Sequence, residues 1–218
     1  MSSNDYGMPP EDQAIPTVQA LIRRSKTIRR SALQLREDDL RTAFFLATIA
    51  LEEVMQGYLV WSYGIGLGTR DQIIQLMNTD SRHKVRQRLA IGLLTLLEVT
   101  KPTMRKITHK KTHYEAVRLA GKTVSEVFAH HREDLTMDKL GEWDTLKMQC
   151  MYVDWIADKG LIDMPVIQED LDTVMNAVNR LLNQLMLFMS RDARRRISRH
   201  RQEFQQIIQD LRLTYALN

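Results

Sequence analysis

The sequence predicts an all-α fold, and three observations predict it. The run RTAFFLATIALEEVMQGYLVW at residues 41–61 is apolar around nearly its whole circumference, as the central helix of a bundle must be. Stretches on both sides of it carry apolar residues at three- and four-residue steps, the spacing of a helix with one buried face. No alternating run is long enough to read as a strand.

The elements follow in order. Residues 1–16 hold three of the five prolines together with polar side chains and one glycine, the composition of a loose arm. Residues 17–218 read as one helical domain. Its first helix starts near Pro16, with Val18, Leu21, Ile22, Ser25, Ile28, Ala32 and Leu35 inward and Arg23, Arg24, Lys26, Arg29, Arg30 and Arg36 on the remaining faces. Glu37, Asp38 and Asp39 end that helix and place negative charge at the start of the next, where the helix dipole favours an anion. The central helix follows, and Glu52 and Glu53 lie in its middle. Two carboxylates at that depth oppose a membrane span, so the helix belongs to a core. A buried carboxylate then needs a cation or hydrogen-bond donors. The two side chains point about 100° apart, so one of them faces the core.

Gly64, Gly66 and Gly68 break the central helix. Their spacing matches neither nucleotide-binding glycine pattern, and no strand precedes them. A short helix over 70–77, a helix from Ser81 that stops before Pro102, and a helical stretch over 103–133 come next. A polar loop over 134–142 leads to a short helix over 143–153 and a turn through Asp158, Gly160 and Asp163 to Pro165. The last helix starts at Gln168 with Leu171, Val174, Met175, Val178, Leu181, Leu182, Leu185 and Phe188 in register. It is long, with a bend expected near Ser190, and residues 191–218 form a basic helical extension.

Composition narrows the function classes. A chain of 218 residues with 44% hydrophobic content can bury a real core. A net charge of +4 and a pI near 9.2 are mildly basic, so attraction to nucleic acid must come from clustered charge. The single cysteine, Cys150, rules out an internal disulfide and suits a reducing compartment; beside Met148 and Met151 it reads as core rather than nucleophile. With no secretory start, the expectation is a cytoplasmic protein with no membrane partner. His109 and His113 have metal-compatible helical spacing, but Lys106, Lys110 and Lys111 crowd them, so the expected metal is none, and so is the expected cofactor.

Three pieces of the chain together resemble the AbiV family of abortive-infection proteins, a branch of the HEPN helical superfamily. They are Ala50, Leu51, Glu52 and Glu53 in the central helix; His83 and Lys84, with Arg86, at the start of a later one; and Tyr152, Val153 and Asp154 before a turn with Pro165 and a helix. The resemblance covers roughly residues 20–190 and implies a HEPN-like bundle that serves phage defence as a homodimer. Where the family usually follows its paired glutamates with glycine and lysine, this chain has Val54, Met55, Gln56 and Gly57. The compensating cation must come from elsewhere, with His83, Lys84 and Arg86 as the candidates.

Many HEPN proteins are metal-independent ribonucleases that use an arginine followed four to six residues later by a histidine, and here Arg194 or Arg195 with His200 fits that spacing. Cleaving RNA without metal requires a base, an acid and a cation, roles open to Glu52, Glu53, His83, Arg195 and His200. The other reading of Glu52, Glu53 and His83 is a structural ion pair between helices. Residues 191–201 carry six arginines against one acid, and Arg191, Arg194, Arg196, Arg199 and Arg201, with Lys84 and Arg86, are the candidates for holding RNA phosphates. A solvated helical face is the other reading of those arginines. On a regular helix Arg196 and His200 share a face and Arg195 and His200 do not. The expected function is therefore an anti-phage protein that acts on RNA or translation as a ribonuclease or RNA-binding toxin. The competing class is a non-enzymatic protein that binds a phage or host protein.

Overall fold

In a computed structural model, the chain is described over residues 8–66, 69–77 and 166–191, and at residues 86, 87, 90, 93, 94, 147, 150, 155, 156, 160, 161 and 195. Three long helices form the core: α1 (Ala14–Gln34), α2 (Leu40–Gly64) and α4 (Gln168–Phe188). A short α3 (Arg70–Met77) follows the glycine turn, as the spacing predicts. Residues 86, 87, 90, 93, 94, 147 and 150 are also helical. The only strands among the described residues are two two-residue pieces, β1 (Trp155–Ile156) and β2 (Gly160–Leu161), paired antiparallel. They make the turn expected there into a small ribbon and leave the fold all-α.

Helix α2 is the axle. Fourteen of its 25 residues are buried, from Ala43 to Trp61, so it is enclosed rather than laid on a surface. By length and composition it could cross a membrane, but 72% of its most apolar window is buried inside the protein. Phe44, Leu51 and Met55 are among its fully buried large side chains, each contributing about 1.5–3 kcal/mol of transfer free energy. Two buried hydrogen bonds lie along it: Thr48 donates to the Phe44 carbonyl at 3.0 Å, and Ser25 of α1 donates to the Ala50 carbonyl at 3.0 Å. Asp39 caps its start, accepting from the Thr42 amide at 3.0 Å and the Thr42 hydroxyl at 2.6 Å. Its end is a turn in which Gly66 takes φ 72°, a left-handed value that glycine adopts without strain.

Contacts set the directions of the three helices. Ser25 meets Ala50 and Ala14 meets Gly64, so α1 and α2 run antiparallel. Arg29 donates to Asn179, and Arg36 meets Asp172 at 3.0 Å, so α1 and α4 are also antiparallel. Helices α2 and α4 therefore run the same way. Between them Tyr58 donates to the Leu181 carbonyl at 3.0 Å, and Trp61 stacks on Phe188 with ring centroids 5.0 Å apart. Gly57 permits this approach, because a Cβ there would stand 2.8 Å from Leu185 Cδ2. Two parallel helices need a long return connection, and the residues between α2 and α4 provide it.

One expectation changes at the ends and one holds. Residues 8–16, assigned to a loose arm, carry structure: Met8 is buried, a 3-10 turn spans Glu11–Gln13, and α1 begins at Ala14, two residues before Pro16. Ala14 drives this, since its methyl group is fully buried against Gly64. At the other end, α4 stops at Phe188, Ser190 bends, and Arg191 is helical again, which places the break where the sequence suggested it.

Candidate functional site

The two central glutamates have different surroundings. Glu52 is 3% exposed, and its Oε1 accepts from Lys147 Nζ at 2.8 Å and from Gln87 Nε2 at 3.5 Å. Lys147 and Gln87 are themselves buried, at 3% and 0% exposure. Three polar side chains from separate helical segments thus meet in the core, on a side of α2 that α1 does not occupy. Such a cluster stabilises only when each charge keeps its partner, and it pins both segments to α2 at one height.

Glu53, the next residue, turns about 100° toward α1. Its side chain is 12% exposed, and Arg24 Nε lies 3.5 Å from its Oε1. Its Oε2 is buried with no hydrogen-bond partner. Burial raises its pKa; Arg24 and Arg86 oppose that shift, and the Glu52 charge adds to it. Arg86 is half-buried on the helical turn that also carries Gln87. Glu53 is therefore a carboxyl with a raised pKa at the rim of the core, beside the Arg24 guanidinium and within the field of Arg86. Glu52 is sealed beneath it.

The expectation that one glutamate faces the core holds, and Glu52 is the one. Of the cations expected to compensate the pair, Arg86 acts on Glu53, and Lys147 is a further cation that meets Glu52. The reason is geometric, since Arg86 and Gln87 are neighbours that point about 100° apart and the neutral amide takes the inward direction. His83 and Lys84 lie outside the described residues, as do Tyr152, Val153, Asp154, His109 and His113. A signal for Lys147 was present. Trp143, Cys150 and Met151 stand four before, three after and four after it, so a lone cation interrupts an apolar helical stripe. Gln87 interrupts the stripe of Ala90 and Leu94 in the same way. Arg24 gave no such signal, being one of several cations on α1.

Arg191 and Arg195, one helical turn apart, are both exposed. Arg194, Arg196, Arg199, His200 and Arg201 lie outside the described residues. Cys150 is half-buried, and burial pushes its thiol pKa up, with Arg41 opposing and Asp39 reinforcing the shift. That disfavours the thiolate and matches a packing role.

Comparison with known proteins gives one match. A family model described as AbiV, of the HEPN type, matches residues 18–183. Comparisons with curated proteins and with solved structures return no match. The matched span holds Arg24, Glu52, Glu53, Arg86, Gln87 and Lys147, and it ends before the arginines that begin at Arg191.

Proposed function

This chain belongs to the AbiV family of HEPN proteins, whose membership points to abortive infection and anti-phage defence, and from that premise we propose that it acts by engaging RNA. The observation that carries the proposal is the pair Arg191 and Arg195, exposed after the Ser190 break and belonging to a segment, residues 191–201, with six arginines and one acid. Guanidinium groups offer planar forks to phosphate oxygens, and dense arginine without neutralising acid suits a polyanion. In this proposal the protein works in the cytoplasm, as its single cysteine and amino-terminal composition suggest, and as a homodimer, as the family resemblance implies.

In this reading the two glutamates have separate roles. Glu52 is a strut, because a carboxylate held by a buried lysine and closed off from solvent does not meet a substrate. Glu53 is the one of the pair suited to proton transfer. It reaches the rim, holds its proton above the ordinary carboxyl range, and has two arginines near it that suit phosphorane charge. Ribonuclease action through Glu53 and His200 is the stronger form of the proposal, and RNA binding alone is the weaker.

The test is filter binding of single-stranded RNA over a salt series, followed by incubation with total RNA and tRNA in chelator. Wild type should show affinity that falls steeply with salt. Changing Arg191→Gln and Arg195→Gln should lower the log–log slope by about 1.4, two phosphate contacts at about 0.7 each. Cleavage in chelator that disappears in Glu53→Gln or His200→Ala would establish the enzyme. An absence of salt-dependent RNA affinity would end the RNA reading and leave the protein-partner class.

A further inference from the structure

Helix α1 has five cations and no acid in its 21 residues. Its cations fall into two groups. Arg24 reaches over one edge to Glu53 of α2, and Arg29 reaches over the other edge to Asn179 of α4. Just past the helix, Arg36 follows Arg29 to Asp172. Arg23, Lys26 and Arg30 lie between those edges, exposed, and no ion pair joins them to an acid among the described residues. At about 100° per residue these three fall within about 60° of one another, and Arg23 and Arg30 stand about 10 Å apart along the axis. The exposed residues around them are neutral: Gln19, Thr27 and Gln34.

A solvated face usually mixes signs, and opposite charges three or four residues apart stabilise a helix. Here Arg23 with Lys26, and Lys26 with Arg30, are like-charged at those spacings, so the helix carries repulsion that nothing along it offsets. An external polyanion would offset it. We propose that this ridge of α1 is a second RNA-binding surface, which takes the phosphate backbone of a single strand along Arg23, Lys26 and Arg30. The proposal rests on the RNA reading above and adds a surface that lies inside the family match, whereas the Arg191 segment lies outside it.

The test is fluorescence anisotropy of a labelled single-stranded RNA with the full-length protein, between about 50 and 200 mM KCl. Three proteins are compared: wild type, Arg23→Gln with Lys26→Gln and Arg30→Gln, and Arg191→Gln with Arg195→Gln. Glutamine keeps helix propensity at these exposed sites, so circular dichroism should be unchanged and thermal stability equal or higher. The ridge variant is expected to bind about tenfold more weakly at low salt, with a log–log slope lower by about 2. Combining the two sets of changes should sum their effects on the slope. If the ridge variant binds like wild type while the Arg191 and Arg195 variant loses affinity, the ridge is refuted and the RNA reading survives. Failure of wild type to bind any RNA would overturn both. Loss of binding to anionic phospholipid vesicles by the ridge variant, with RNA affinity intact, would assign the ridge to a lipid surface and also overturn the proposal.

Discussion

Replacing Lys147 with methionine tests the strut directly. The change preserves most of the side chain's length and removes only its charge, leaving the Glu52 carboxylate in the core with Gln87 at 3.5 Å as its nearest described donor. Both partners of the pair are 4% exposed, so solvent cannot take over the lost bond. Breaking one side of a pair this deep destabilises by about 3–5 kcal/mol. With a urea m-value of about 2 kcal/mol per molar, the midpoint should fall by roughly 1.5–2.5 M. Glu52→Gln, which takes the carboxylate away from the buried lysine instead, should fall by a similar amount. The double replacement Glu52→Leu with Lys147→Met removes both charges and should recover most of the loss or exceed wild type, as exchanging a buried pair for apolar groups often does. RNA affinity of the folded single variants at low temperature should match wild type. A Lys147→Met loss below about 1 kcal/mol, or a double variant as unstable as the sum of the singles, would refute the strut.

Three further outcomes follow from local geometry. Gly64→Ala would bring a Cβ within 2.7 Å of the Ala14 methyl, which has no rotamer with which to move away. It should cost about 1–3 kcal/mol and expose the chain before Ala14 to limited proteolysis, with Ala14→Gly restoring protection. Asp39→Ala removes the cap of α2 and should cost about 1 kcal/mol near neutral pH, read by chemical denaturation. The Thr42 hydroxyl and amide hold the Asp39 pKa below its usual 3.8, so its contribution is present above 3.8 and fades as pH falls through the lower folded value. The two unfolding curves should therefore converge in acid. For Glu53 the sign is opposite: burial raises its pKa above the usual 4.5, so its contribution is present below 4.5 and lost as pH rises through the folded value. Glu53→Gln should flatten the melting temperature profile just above 4.5, and parallel profiles for the two proteins would refute the shift.

What the sequence made legible was whatever depends on periodicity. The all-round apolarity of 41–61, the three- and four-residue steps of Val18, Ile22, Ser25 and Ala32, and the register from Leu171 to Leu185 all reappear as buried faces. Those signals are local, and burial acts on them residue by residue. Helix α1 starts at Ala14, two residues before Pro16, because Pro16 fits the first turn, where its missing amide proton has no helical acceptor to lose. The tiny ribbon at Trp155 and Leu161 was missed because two residues per strand are too few to show alternation.

The site was legible only as a demand. Two carboxylates in an apolar helix announce that a cation must exist, but the helix says nothing about which of the chain's Lys and Arg residues supplies it. Lys147 lies 95 residues from Glu52, and a pair that distant in sequence can be found only by asking which cation sits where its own helix should be apolar. The same question separates the two kinds of arginine in this protein. Cations at the edge of a packed face, such as Arg24 and Arg29, are drawn to acceptors on the helices they border. Cations at the centre of an exposed face, such as Arg23 and Arg30, meet no acid among the described residues, which is what leaves them open to an external polyanion.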